Sequence, residues 1–358
     1  MEKRNIIYSP FSSITFDYKH CFLCGGLLTD SNVSDEHVFP KWLLHKYDLW
    51  NQRLCLFNET LIPYKNLTIP CCNDCNGVYL SKLENDIKSA IEHGYKSFME
   101  LDEITIFKWM TKLFYGLLFK DLSLSVDRAN PQKGHLMEPE MLSKFKIVHV
   151  FLQSVKPKVK FTGNVFSLFV FNVHTNPKND NKLDFFFSDD LLRLQLAIQV
   201  GDTGIICCIG EDGIIKESLD NYLKPFYSIK IHPIQFREII GRVFYKKYIL
   251  QVPPAYIFVN SEDECSIVSM LSSFTGKYFA DIKQKELAYF IYKQLKPLGF
   301  TEEDIYHTKL DAVTSYLTNH YGNVHLIDQY GNVISDVTIK HNGYKGDLFP
   351  PKNNKPNN

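Results

Sequence analysis

The chain has 358 residues, 45% of them hydrophobic, which is enough to bury more than one core. Its 40 Lys and Arg balance its 40 Asp and Glu, so a uniformly basic nucleic-acid-binding protein is excluded while a local basic groove is not. No N-terminal run joins a charged start to an apolar segment, and no stretch of about 18 apolar residues is present to span a bilayer.

These features predict a soluble cytoplasmic protein with no membrane partner. The nine cysteines agree, because an odd number grouped in CxxC pairs suits a reducing compartment better than a secreted disulfide framework.

Near the N-terminus two cysteine pairs bracket a polar cluster. Cys21-Phe-Leu-Cys24 opens the segment, Asp35-Glu36-His37-Val-Phe-Pro40 follows, and Asn66-Leu-Thr-Ile-Pro-Cys71-Cys72-Asn-Asp-Cys75-Asn76 closes it. A CxxC pair places two sulfurs on one side of a tight turn, and two pairs complete a tetrahedral thiolate site. Cys21, Cys24, Cys72 and Cys75 are therefore expected to hold a structural Zn2+, with Cys71 a small buried neighbour. Four thiolates leave no open position on such an ion, so chemistry must come from other residues. Glu36 and the amide of Asn76 offer hard oxygens suited to Mg2+ or Mn2+, and the His37 imidazole, near its neutral form, can take a proton from water.

These residues resemble the HNH endonucleases, in particular the group whose ββα-metal motif is stapled by four cysteines. The resemblance covers about Cys21 to Glu84, roughly a fifth of the chain. Glu36 to Pro40 matches the first motif strand and its following turn, and Asn66 to Asn76 matches the second strand and the knuckle that opens the helix. It implies that His37 is the general base, that Asn66 holds the histidine loop in place, and that Glu36 and Asn76 are ligands of a catalytic Mg2+ or Mn2+. Where many relatives carry His as the last letter of the motif, this chain has Asn76. The implied activity is hydrolysis of phosphodiester bonds in DNA, with RNA as the second candidate, in a restriction, mobile-element or phage-defence setting. The competing reading is an inactive zinc-stapled module that binds nucleic acid or protein without cutting.

Around the motif, Trp42, Leu43 and Leu44 read as core, while Asn73, Asp74 and Asn76 are candidate helix caps. Lys82 and Glu84 read as solvated helix residues. Residues 83–122 carry apolar positions at helical spacing. From about 145 to 215 the pattern turns β-branched and aromatic, with Ile147–Leu152, Val165–Val173, Leu194–Val200 and Gly204–Gly210 predicted as strands of an antiparallel sheet. Cys207 and Cys208 fall inside the last of these. Lys144, Lys146, Lys156, Lys158 and Lys160 could track a phosphate backbone, although the alternation at 156, 158 and 160 better suits the outer face of a strand.

A polar connection spans Thr175–Lys182, a helix Pro233–Leu250, a short strand Ala255–Val259, a helix Gln284–Gln294, and β-like runs Val324–Ile327 and Val333–Ile339. The tail from Pro350 is too polar to order. The expected class is thus α+β, with a zinc-stapled ββα-metal nuclease module over residues 1–98. A larger region follows over 99–349, helical at 99–125, mainly strands at 145–260 and mixed at 261–349, before a disordered tail at 350–358. That larger region is the expected place for a partner protein or an activating ligand. One site per chain means that a double-strand break would need a homo-oligomer or sequential nicks.

Overall fold

The computed structural model describes residues 17–337 apart from 57, 123, 128, 135–138, 179, 181–183, 262, 263 and 271–275. Strand β1 (Val33–His37) leads through helix α1 (Lys41–Lys46) and the small hairpin of β2 (Arg53–Cys55) and β3 (Leu61–Pro63) to β4 (Thr68–Cys72). β1 and β4 pair antiparallel, from Val33 opposite Cys72 to His37 opposite Thr68. A π-helical turn over Cys75–Leu80 then opens helix α2 (Ser81–Glu92), so this segment has the order strand, strand, helix.

After the short α3 (Tyr95–Phe98), helix α4 (Glu103–Leu122) is apolar nearly all round, the composition of a helix with no solvent face. Trp109, Met110, Leu113 and Phe114 are each fully buried. Helix α5 (Pro139–Leu152) contains Ile147–Leu152, which the sequence pattern assigns to a strand. A short apolar run cannot separate a buried strand from a buried helix by periodicity. Here the run continues a helix already under way, and Val148, Val150, Phe151 and Leu152 are all buried.

A short β5 (Val159–Phe161) precedes the main sheet, built from β6 (Phe166–Val173), β7 (Phe185–Asp190), β8 (Gln195–Val200) and β9 (Thr203–Ile209). Helix α6 (Ile214–Tyr227) then returns the chain to β10 (Lys230–Ile231), giving the order β10-β6-β9-β8-β7. All pairs are antiparallel except β10 with β6. The period of two sends alternate residues to opposite faces. Ile205, Cys207 and Ile209 join the core shared with α4, while Ile206 and Cys208 join the core shared with α6 and α7 (Pro233–Tyr248). Residues 145–260 are therefore less strand-rich than their composition suggests, because α6 repeats Ile215, Leu219, Leu223 and Phe226 at helical spacing and lies on the sheet.

Strands β11 (Ala255–Asn260) and β12 (Cys265–Met270) form a second sheet with β5. Helix α8 (Gln284–Leu295) packs on α7, where a Cβ on Gly241 would stand 2.6 Å from Ile291 Cα. The chain then passes α9 (Glu302–Ile305) and two small hairpins, β13 (Tyr306–His307) with β14 (Ala312–Val313) and β15 (Val324–Ile327) with β16 (Val333–Val337). The fold is α+β, as expected. The expected tail from Pro350, the last two residues of Val333–Ile339, and three positions of the Thr175–Lys182 connection lie outside the described residues. No described helix is long and apolar enough to cross a membrane.

The expected boundary after residue 98 falls between α3 and α4, yet one continuous core crosses it. Leu43, Ile69 and Ile87 from the first segment pack with Trp109, Leu113, Phe151 and Ile205 from the second. Phe107 of α4 stacks on Phe166 of β6 at 4.1 Å between ring centroids.

Candidate metal centre and the carboxylate cage beside it

The four cysteines expected to bind zinc converge. The Sγ atoms of Cys21, Cys24, Cys72 and Cys75 lie within 4.8 Å of one another, and none is in a disulfide. Tetrahedral Zn–S bonds of about 2.3 Å require sulfurs about 3.8 Å apart. Cys24 and Cys72 meet that spacing, at 3.8 Å.

The local backbone explains the convergence. Gly25, at φ +68°, closes a turn in which its N–H donates to the Cys21 carbonyl, and the Gly26 N–H points at Cys24 Sγ, 3.4 Å away. On the second knuckle the Cys75 N–H points at Cys72 Sγ, 3.5 Å away. Helix α5 supports the first knuckle from behind, with His149 Nε2 2.9 Å from the Phe22 carbonyl and the Gln153 amide donating to that of Leu23. Hydrogen bonds from Cys24, Cys71 and Cys75 pull the Cys21 thiol far below the ordinary cysteine range. Cys75, bonded chiefly to Cys21 and Cys24, is pushed far above it. Four thiols so close favour sharing one negative charge, and a bound cation lets the others ionise. The donor set fits zinc. Cys71 is fully buried beside it, as expected.

β1 aims its side chains alternately. Glu36 faces inward and is 4% exposed, whereas His37, the last residue of the strand, is half-buried on the other face. The His37 ring stacks toward Trp50 at 6.1 Å, and Trp50 stacks on His45 at 4.8 Å. Neither His37 nitrogen has a hydrogen-bond partner among the described residues. Burial, followed by the charge of Lys41, lowers the His37 pKa, which favours the neutral ring. Asn66 is exposed at the end of the turn that feeds β4, two residues before the partner of His37. Asn76 donates from Nδ2 to Ser34 Oγ at 2.8 Å, on the Glu36 side of the sheet. Asn73 and Asp74 make no side-chain cap of the helix, which begins with Asp74 already in helical geometry.

Sequence reasoning missed the residue at the centre of this face. Lys112, from the middle of α4, has a fully buried side chain. Its Nζ lies 2.6 Å from Glu36 Oε1 and 2.7 Å from Glu84 Oε1, and it donates to the carbonyls of His37 at 2.6 Å and Val38 at 2.9 Å. Glu84 is thus a bonded member of the interior rather than a solvated helix residue, because α2 turns it toward β1. Burial alone would lower the Lys112 pKa, but the two carboxylates outweigh it and hold it above the ordinary lysine value. Burial raises the Glu84 pKa, partly against Lys112 and with help from Glu36. A signal for Lys112 was present: it is the single charge in the run Trp109–Phe119, whose other members are apolar apart from Thr111, and a charge buried in such a run needs a partner.

Of the candidate phosphate-contacting lysines, Lys160 alone lies in a strand, and it pairs with Glu264 at 2.6 Å. Lys156 turns back to Gln153. Lys41, exposed on α1, is close enough to His37 to act on its charge, while Lys46 of the same helix lies 5.7 Å from the Tyr47 ring and Lys65, in the turn before β4, donates to Asn51 at 2.8 Å. Away from this unit, a pocket of about 510 Å3 in the C-terminal region is lined by Arg193, Tyr248, Lys285, Tyr289, Lys293 and Tyr306 among others.

Comparison of the chain with family models, with curated proteins and with solved structures gives no match.

Proposed function

We propose that residues 21–84, with α4 behind them, form a zinc-stapled endonuclease unit in which His37 is the general base for hydrolysis of a nucleic-acid phosphodiester. The observation that carries this reading is a half-buried imidazole whose nitrogens bond none of the described residues, at the end of a two-stranded unit beside four converging cysteines. Zinc held by Cys21, Cys24, Cys72 and Cys75 supplies rigidity, which a base needs if its nitrogen is to meet the attacking water. His37 would take a proton from that water as its oxygen attacks phosphorus, and the bond to the 3′-oxygen would break on the far side, that oxygen taking a proton from solvent water to leave as a hydroxyl. Lys41, Lys46 and Lys65 would meet backbone phosphates, which orient the substrate without reading its sequence. Exposed Asn66 would brace the histidine loop.

The same family chemistry calls for Mg2+ or Mn2+ on Glu36 and Asn76. Asn76 bonds Ser34 through its amide nitrogen and keeps its ligating oxygen, but Glu36 already grips the Lys112 ammonium. The donor set does not fit a divalent ion while Lys112 is in place, so no step is routed through one. That engagement of Glu36 also favours a second reading, a zinc-stapled module that binds DNA, RNA or protein without cutting. For the C-terminal region we propose recognition of a partner or an activating ligand. Its pocket balances Arg193, Lys285 and Lys293 with Asp190, Glu286 and Glu302, and Arg193 pairs with Asp190 at 3.0 Å while stacking 4.5 Å over the Tyr248 ring, so its aromatic wall rather than net charge would hold a ligand.

Supercoiled plasmid and a single-stranded RNA, each incubated with the full chain and with His37→Ala, test the nuclease reading, with and without Mg2+ or Mn2+. Nicking that falls by about 100-fold or more in the variant, the usual contribution of a general base, supports it. Equal cutting by both proteins removes His37 as the base, and binding without cutting selects the second reading.

A further inference from the structure

We infer that Lys112 is the resident cation of this site: its ammonium fills the oxygen cage of Glu36, Glu84 and the His37 and Val38 carbonyls, in the place a divalent ion would take. The inference deepens the nuclease reading by naming the cation at the base's side.

Four oxygens surround Nζ at 2.6, 2.7, 2.6 and 2.9 Å. Two carboxylates and two carbonyls are the hard donor set that proteins offer to Mg2+ or Mn2+. An ammonium has three protons for these four acceptors, so the cage holds one more oxygen than the cation can bond singly. The charges also exceed what a lysine alone balances: two carboxylates face one ammonium, which leaves the cage acidic. A tethered cation differs from an ion in one respect that matters here. It cannot dissociate, and no chelator removes it.

The cage also bears on His37 without touching substrate. Its Nζ bonds the carbonyl of His37 itself and that of the next residue, Val38, so the backbone from which the imidazole projects is anchored to α4. Glu36 comes from β1, Glu84 from α2 and Lys112 from α4, so three elements meet at one nitrogen. Lys112 is therefore a positioning residue for the base.

The test uses the zinc-saturated full chain titrated with Mn2+, with free Mn2+ followed by electron paramagnetic resonance. Wild type is expected to take up no stoichiometric Mn2+. Lys112→Met empties the cage and should gain one site per chain, at least 10-fold tighter than any wild-type uptake, which Lys112→Met/Glu36→Gln abolishes again. Stoichiometric Mn2+ on wild type that is lost in Glu36→Gln would overturn the inference, and this pair decides the matter should Lys112→Met fail to fold. Lys112→Met that folds but gains no site also overturns it. A chain that cuts no nucleic acid leaves these Mn2+ results standing, so the two readings fail separately.

Discussion

Replacing Lys112 by methionine keeps an unbranched stem in the core of α4 and deletes the charge. Removing one partner from a buried ion pair costs about 3–5 kcal/mol, most of it from the charge left behind. Two carboxylates are left here, but they are not equal. The Glu36 side chain is 6% exposed and cannot recover water, whereas that of Glu84 is 19% exposed and already holds its proton more tightly than a free glutamate. Glu36 therefore sets most of the loss.

The pH dependence follows from the same groups. In wild type Lys112 has a raised pKa, so its contribution is fully present below the ordinary lysine value of 10.5 and is lost only as pH rises through the higher folded value. In the variant Glu84 loses its cation and its pKa rises further. A carboxyl with a raised folded pKa favours the fold while protonated and loses that contribution as pH climbs from 4.5 through the folded value. The gap between the two proteins should thus be widest near pH 8 and narrow toward pH 5.

Urea unfolding at both pH values, with zinc in excess, reads the gap as a shift in midpoint at constant slope. Lys112→Met/Glu36→Gln/Glu84→Gln, which removes all three charges, should recover most of the loss. A loss under about 1 kcal/mol at pH 8, or one that does not change with pH, would refute the claim that this ammonium compensates a buried carboxylate.

Cys72→Ser should lose its zinc by elemental analysis and unfold the 21–92 segment, since structural zinc contributes on the order of 10 kcal/mol in small sites; a folded, zinc-free variant contradicts the staple. Gly241→Ala drives a methyl to 2.6 Å from the Ile291 backbone, so it should lose about 1–3 kcal/mol despite the better helix propensity of alanine. Gly116→Ala meets side-chain atoms alone, the Val38 methyls at 3.0 and 3.1 Å and Ile69 Cδ1 at 3.4 Å, which can give way, and should stay within about 1 kcal/mol of wild type. Reversal of that order in urea would mean that α7 and α8 are not in close backbone contact. Burial, then the nearby Asp121, pushes the Asp189 carboxyl up to about 7 from 3.8, so its contribution is lost as pH rises toward 7. Asp189→Asn should accordingly raise the melting temperature at pH 8 and leave it unchanged near pH 4, and equal effects at both would reject the shift.

The cysteine spacing was legible because a CxxC turn is local, and each knuckle is closed by hydrogen bonds within five residues of chain. Strands β6, β8 and β9 were legible because β-branched and aromatic runs had Gly and Asp turns at their ends. Ile147–Leu152 was not, since five apolar residues around His149 carry no period until the start of their helix is known. The role of Glu36 was the harder case. In sequence it stands beside a histidine and between two cysteine pairs, which favours a metal ligand, and its partner is 76 positions away. Nothing local says which face of β1 will be roofed by α4, so the cation that meets Glu36 is a property of the packing.

A backbone break between α3 and α4 would separate the acids Glu36 and Glu84 from the base that neutralises them, each side keeping half of one apolar core. Such halves are mutually complementary in charge and in shape, which are the properties that let split proteins find each other in solution. The cysteine-stapled segment and the rest of the chain are better regarded as two parts of one lock than as a blade and a handle. Expressed apart they should each be poorly soluble, and mixed they should restore a single cooperative unfolding transition.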